Sequence, residues 1–358
     1  MTFKPLNEND VVSSRTLLHE AIPLTGSIIS GSYGGGNIKN YAHGMFQTVY
    51  DYHYLSSSAN HIFDITCGVS SQTALPITNM TSKKRNIYGQ MAQVLMGYDA
   101  TGSIQQFDED GDLLAGGAKM NEVIVIPFSR LLVKDEIKKE TFEMSLGVNP
   151  TYSTSGYSNF ITVSDVGAST EYRVNSPAGE YGILYATGSG LMNTSSTHTA
   201  SIGSDTYWYA GLLFYQAGIA VLTGSIFGQQ LDITPGLVEM NSSAELIDAV
   251  LTGSTINDIT DGVLNRIENI QFNNTTELNS TVYFCRVNHN EFNYSSNPTY
   301  LENSRIRVKT QATDEPVSYI TTIGLYNDRN ELLATAKLSE ALKKTPSTEF
   351  TIRARLDY

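Results

Sequence analysis

EFTIRARLDY, residues 349–358, alternates without a break: Phe350, Ile352, Ala354 and Leu356 are interleaved with Thr351, Arg353, Arg355 and Asp357. Successive side chains of a strand point to opposite faces, so a period of two predicts a β-strand with one buried and one wet face. The pattern recurs upstream. SRIRVK (304–309) sets Ile306 and Val308 between Arg305, Arg307 and Lys309, and TVYFCRVNH (281–289) is a further strand candidate. In VSYITTIGLYNDRNELLATAKL (317–338), two apolar runs flank Asn327-Asp328-Arg329-Asn330, a polar loop of hairpin length. At least five strands are expected after residue 280, enough for a sheet but marginal alone for a two-layer core.

The missing layer is expected earlier in the chain. EVIVIPFSRLLVKDEIKKETFEMSLGV (122–148) predicts a hairpin with a charged tip at Lys134–Glu140. The expected fold class is therefore mainly β (α+β): an antiparallel β-sandwich with inserted β-rich and helical segments. Residues 120–148 plus 281–358 are expected to build the sandwich, 1–119 an N-terminal α+β region, and 149–280 the insertion. That insertion is rich in Gly, Ser, Thr and Tyr. Its apolar runs YGILYA (181–186), YWYAGLLFY (207–215) and GIAVLTGSIFG (218–228) are parted by turn residues and read as strands. Helices are expected at 83–98, where Ile87, Met91, Val94, Leu95 and Tyr98 recur at helical spacing, and near 243–269. There the capping box Ser242-Ser-Ala-Glu245 opens one helix and Asp261–Asn269 forms another.

Composition narrows the function classes. Charged residues make up 16% of the 358, well below the usual quarter, while 21 Tyr and many Ser, Thr, Asn and Gly make up a neutral, hydrogen-bonding remainder. Such a surface suits protein contacts, because few charges must be desolvated. The net charge of −13 argues against a nucleic-acid partner. It is unevenly spread: 281–358 carries ten basic and nine acidic side chains, a net of +1, and the rest of the chain a net of −14. Two cysteines, Cys67 and Cys285, make no disulfide framework and fit assembly in a reducing cytoplasm. The opening MTFKPLNENDVVSS has no basic start followed by an apolar run, so no signal peptide is expected, and no apolar run reaches bilayer length, so neither is membrane association.

Motifs of catalysis are sparse. Asp108-Glu109-Asp110-Gly111-Asp112 is the densest acidic cluster, but the glycine comes one residue after the second Asp, too early for a calcium loop, and no Glu closes it, so a turn is the better reading. The six histidines lack zinc spacing, and Gly31–Gly36 lacks the Lys of a phosphate loop. No nucleophile elbow or zinc-protease helix motif is present. The expectation is a protein that is no enzyme, with no catalytic, cofactor or metal residues.

The most distinctive loop is NHNEFNYSSNPTY (288–300). It reads equally as a cap on the sandwich or as an arm reaching a neighbouring subunit. In the second reading Phe292, Tyr294 and Tyr300 are the interface anchors, since aromatics concentrate interface energy. This loop, together with YITTIGLYNDRNELLATAKL (319–338) and EFTIRARLDY, resembles the C-terminal region of virion structural proteins of large contractile-tailed bacteriophages. The resemblance is firmest over 289–358 and extends loosely to FSRLLVKDEIKKETFEMSLG (128–147) and YGQMAQVLMGYD (88–99). It implies a virion location and a tail baseplate role, as a wedge or fibre-attachment component. The implied partners are other virion structural proteins, in several symmetry-related copies. The alternatives are a neck, collar or capsid-decorating protein and, from another class, a carbohydrate-binding or depolymerising tailspike.

Overall fold

EVIVIP (122–127) shows no polar–apolar alternation because both of its faces are dry. In the computed structural model Val123 and Val125 join one hydrophobic cluster while Ile124 and Ile126 join another. The same division runs through the neighbouring strand, where Val221 faces one way and Ala220 and Leu222 the other. A strand buried on both sides reads as a continuous apolar run. The structure describes residues 3–23, 36–72, 78–113, 119–147, 160–187, 199–202, 204–226, 231–234, 237–240, 255–295, 301–303, 305–306, 309 and 311–358.

In chain order the strands are β1 (Val11–Pro23), β2 (Ile38–Asn40), β3 (Gln47–Tyr50), β4 (His61–Val69), β5 (Glu122–Pro127), β6 (Glu136–Ile137) and β7 (Glu143–Gly147). There follow β8 (Phe160–Ser164), β9 (Arg173–Ser176), β10 (Gly179–Thr187), β11 (Thr199–Ile202), β12 (Asp205–Phe214), β13 (Ile219–Thr223), β14 (Leu231–Thr234) and β15 (Leu237–Met240). The last are β16 (Ile267–Val287), β17 (Leu301–Glu302), β18 (Arg305–Ile306), β19 (Ser318–Tyr326), β20 (Leu332–Lys344) and β21 (Phe350–Asp357). The fold is a β-rich α+β fold built on a large antiparallel sheet. The chain divides into two compact units, Leu18–Thr276 and Met1–Leu17 with Glu277–Tyr358.

In the larger unit the sheet runs from the first half of β16 through β7, β8, β10, β12, β13, β5, β4 and β3 to β2. Two helices supply cover. Asn79–Leu95 starts at Thr78, whose hydroxyl accepts the Thr81 amide, and places Tyr88, Ala92 and Leu95 in the cluster with Val123 and Val125. Ile256–Arg266 starts at Thr255, whose hydroxyl accepts the Asp258 amide, and adds Ile256, Ile259, Val263 and Leu264 to the other cluster. Each of the Leu, Ile and Val side chains among them contributes about 1.5–3 kcal/mol.

The smaller unit is built differently. Residues 280–287 of β16 pair with β21, β1 also pairs with β16, and β19 and β20 form a separate two-stranded hairpin. Among its described residues only Val282 and Val287 are buried hydrophobic side chains. The apolar residues of β21 sit at half-burial in strict alternation with exposed ones.

Strands lie over the runs expected at 181–186, 207–215, 218–228, 281–289 and 349–358, the third ending at Thr223, and the helix expected at 83–98 runs from Asn79 to Leu95. The helix expected at 261–269 runs instead from Ile256 to Arg266. Ser242–Glu245 lies outside the described residues, as does Tyr300. The hairpin expected over 122–148 is corrected: β5 pairs with β4 and β13, β7 pairs with β8 and β16, and a helical turn at Arg130–Val133 lies between them. The unit boundaries also differ from those expected. Residues 120–147 belong with 18–276, and 281–358 with the N-terminal segment. Alternation records which faces of a strand are dry; it carries nothing about which strand lies alongside. No helix among the described residues is long and apolar enough to cross a membrane.

Candidate interaction surface

The loop after β16 is anchored by a lysine that the sequence reading passed over. Lys344, at the end of β20, is fully buried, and its ammonium donates to the His289 carbonyl (3.0 Å), Asn293 Oδ1 (2.7 Å) and the Thr345 carbonyl (2.7 Å). An ammonium has three donors, and all are used. Further ties converge on the same turn: Ser318 donates to the Phe292 carbonyl (2.6 Å), and Glu291 accepts from Lys4 (2.5 Å) and from the Asn288 amide (3.1 Å). The Lys4 bond holds the Glu291 carboxyl below its ordinary pKa, and the His289 bond does the same for Glu349. The loop is thus rigid at its base. Its aromatic side chains point outward: Phe292 is 38% exposed, at a left-handed φ of 54°, and Tyr294 is 55% exposed. Strain at a non-glycine residue persists where the surroundings over-determine it, and the Lys344 and Ser318 bonds do that here.

The hairpin β19–β20 rises from this base. At its tip Asn327 Oδ1 accepts the amides of Arg329 (3.0 Å) and Glu331 (2.8 Å), an Asx turn that fits the polar tetrapeptide. Register pairs Ile323 with Ala336 and Leu325 with Ala334, then slips: Ile320 faces Leu342 while Thr322 faces Lys337, so residues 338–341 bulge opposite Thr321. Among the described residues the hairpin pairs with no other strand, and none of its apolar side chains is buried. An isolated two-stranded hairpin is marginal in water.

The acidic turn 108–112 sits in the larger unit. Single carboxylate oxygens of Asp108, Asp110 and Asp112 lie within 4.8 Å of one another. Asp108 is fully buried, and its Oδ2 accepts the Leu113 amide (2.7 Å) and the Lys119 ammonium (2.9 Å). Burial raises the Asp108 pKa against the opposing pull of Lys119. Counting Asp108 as the first position of a calcium loop, the twelfth is Lys119, where the bidentate carboxylate of such a loop belongs. The chain supplies its own cation there. Gly111, at φ +67°, and the Asp112 amide on Asp110 Oδ1 (3.2 Å) make this a turn, as expected, flanked by single bridges from Ile104 to Tyr98 and from Asp108 to Lys119.

Buried Cys67 offers no nucleophile: desolvation pushes its thiol up to about 12, and burial draws the nearby Lys84 below its ordinary value. No family model, curated protein or solved structure matches this chain.

Proposed function

We propose that this chain is a structural component of a bacteriophage virion, a tail baseplate protein of the wedge or fibre-attachment kind that works through protein–protein contacts and without catalysis. One observation carries the assembly part of the reading. The unit formed by Met1–Leu17 and Glu277–Tyr358 has two buried apolar side chains among its described residues, against the two extended clusters of the larger unit. A segment of that length without a core is stable when something else covers its apolar face. The phage assignment rests on the resemblance over 289–358, where Phe292 and Tyr294 stand exposed on an anchored loop. The partners under this reading are other virion proteins and further copies of the chain, in a particle assembled in the host cytoplasm.

The test is quantitative mass spectrometry of purified particles from the phage that encodes the chain. A stoichiometry of about six or twelve copies, set by tail symmetry, is expected. Hundreds of copies would move the protein to the capsid surface, and its absence from particles would refute the reading.

A further inference from the structure

We propose that Lys344 and Asn293 join in a covalent amide, the Lys344 Nζ replacing Nδ2 on Asn293 Cγ with release of ammonia. Where the protein works does not enter the argument, so this goes beyond the virion reading and does not rest on it. Lys344 Nζ lies 2.7 Å from Asn293 Oδ1, and the reacting carbon is the next atom along. A turn of the Asn293 amide about its Cβ–Cγ bond leaves that carbon in place and presents its face to Nζ. Both partners are held: Ser318 binds the carbonyl of Phe292, the residue before Asn293, and Lys344 closes β20. Groups fixed in near-attack geometry react with effective molarities of about 10⁵–10⁸ M. The His289 carbonyl accepts from both nitrogens of the exchange, from Nζ at 3.0 Å and from Asn293 Nδ2 at 2.9 Å. It stabilises the positive charge that grows on Nζ as the new bond forms.

Burial supplies the drive. Lys344 is fully buried, and a dry site disfavours a charge. Desolvation lowers the Lys344 pKa against the opposing charges of Glu349 and Glu291, which favours the neutral amine that carries the nucleophilic lone pair. The amine first sheds its ammonium proton to water. Its lone pair then forms the bond to Cγ, the Cγ–Nδ2 bond breaks, and one proton passes from Nζ to Nδ2, which departs as ammonia. No oxidant, reductant or third reactant enters. The product is a neutral amide, so the buried charge is gone. The smaller unit has a use for such a staple, because its described residues bury only Val282 and Val287 as hydrophobic side chains and its sequence holds one cysteine, Cys285, too few for an internal disulfide. Small units short of a core are held by covalent cross-links. This one spans 51 positions and ties the loop after β16 to the end of β20, which restricts the unfolded chain as a disulfide would.

Tandem mass spectrometry of a tryptic digest of the full-length chain, incubated folded at mildly alkaline pH, tests this. The expected result is a branched peptide that joins the Asn293 segment to the Lys344 segment and is lighter than their sum by one ammonia. Trypsin should leave Lys344 uncut, since an acylated lysine is no substrate. Asn293→Ala and Lys344→Met should each abolish the branched peptide and lower the urea midpoint of the chain. Should either variant misfold, the digest of the unmodified chain still decides. Recovery of Asn293 and Lys344 only in separate, unbranched peptides overturns the inference. It does so even if the intact mass is low, because a cyclised asparagine elsewhere also sheds ammonia. Either result leaves the virion reading as it was, and that reading is decided by the particle stoichiometry.

Discussion

Asp165 is a buried carboxylate of the larger unit. Its carboxylate accepts the amides of Glu140 (2.8 Å) and Phe142 (3.1 Å) and the hydroxyl of Tyr215 (3.0 Å), tying the turn before β7 to the end of β12. Burial outweighs these donors and raises its pKa to about 6 from 3.8, while the same burial, with the Asp165 charge beside it, pushes Tyr215 upward. A carboxyl raised on folding makes the native state bind more protons than the unfolded chain between those two values. Stability should therefore fall as pH rises from about 4 to about 6, by up to about 3 kcal/mol, measurable by urea denaturation across that range. Asp165→Ala should flatten this slope. Glycine 182 belongs to the same site, because a Cβ there would meet the Tyr215 hydroxyl at 2.1 Å. Lys119 holds a comparable position on the buried Asp108. Lys119→Met should leave that carboxylate uncompensated and lower stability by about 1–3 kcal/mol, discounted from the value for a fully buried pair because the lysine is partly exposed. Thermal melting of the variant against the parent chain checks it.

At the scale of elements, the pairing of β10 with β12 contains one irregularity, where Leu184 faces Gly211 and Tyr185 faces Tyr209. The extra residue brings Gly211 against β13, and a Cβ at that position would lie 2.0 Å from the Val221 carbonyl oxygen. Gly211→Ala should cost about 1–3 kcal/mol or more as an overpacked backbone contact, and chemical denaturation would reveal a smaller effect if the strands could separate. The helix Asn79–Leu95 was legible because Ile87, Met91, Val94 and Leu95 recur at helical spacing, though Val94 is in fact 66% exposed. The sheet in which it packs was not: EVIVIP records burial on both faces and nothing about β4 and β13 as its neighbours. Lys344, which anchors the 288–295 loop, gave no signal, since a lysine at the end of a strand ordinarily points to solvent.

For the whole molecule the two units should differ in autonomy. A fragment spanning 18–276 holds both hydrophobic clusters and should unfold cooperatively. A fragment spanning 277–358 has only Val282 and Val287 as buried hydrophobic side chains among its described residues, and at low concentration its circular dichroism should show no cooperative transition. A sharp transition in the isolated smaller fragment would contradict the account of that unit.

Local pattern was enough to determine that this chain is β-rich, where the strands after residue 280 and several of those between 122 and 223 lie, which residues alternate along β21, and that the turn at 108–112 lacks the last ligand of a calcium loop. These depend on spacing along the backbone, which a strand or turn turns directly into geometry. Partnership between strands was decided only in three dimensions. Residues 120–147 and 281–358 carry the same kind of β pattern, yet 120–147 packs within the larger unit and 281–358 belongs to the smaller one, whose described residues bury only two hydrophobic side chains. Pairing depends on contacts between residues far apart in the chain, and the half-buried alternation of β21 reads identically in sequence to a fully buried one.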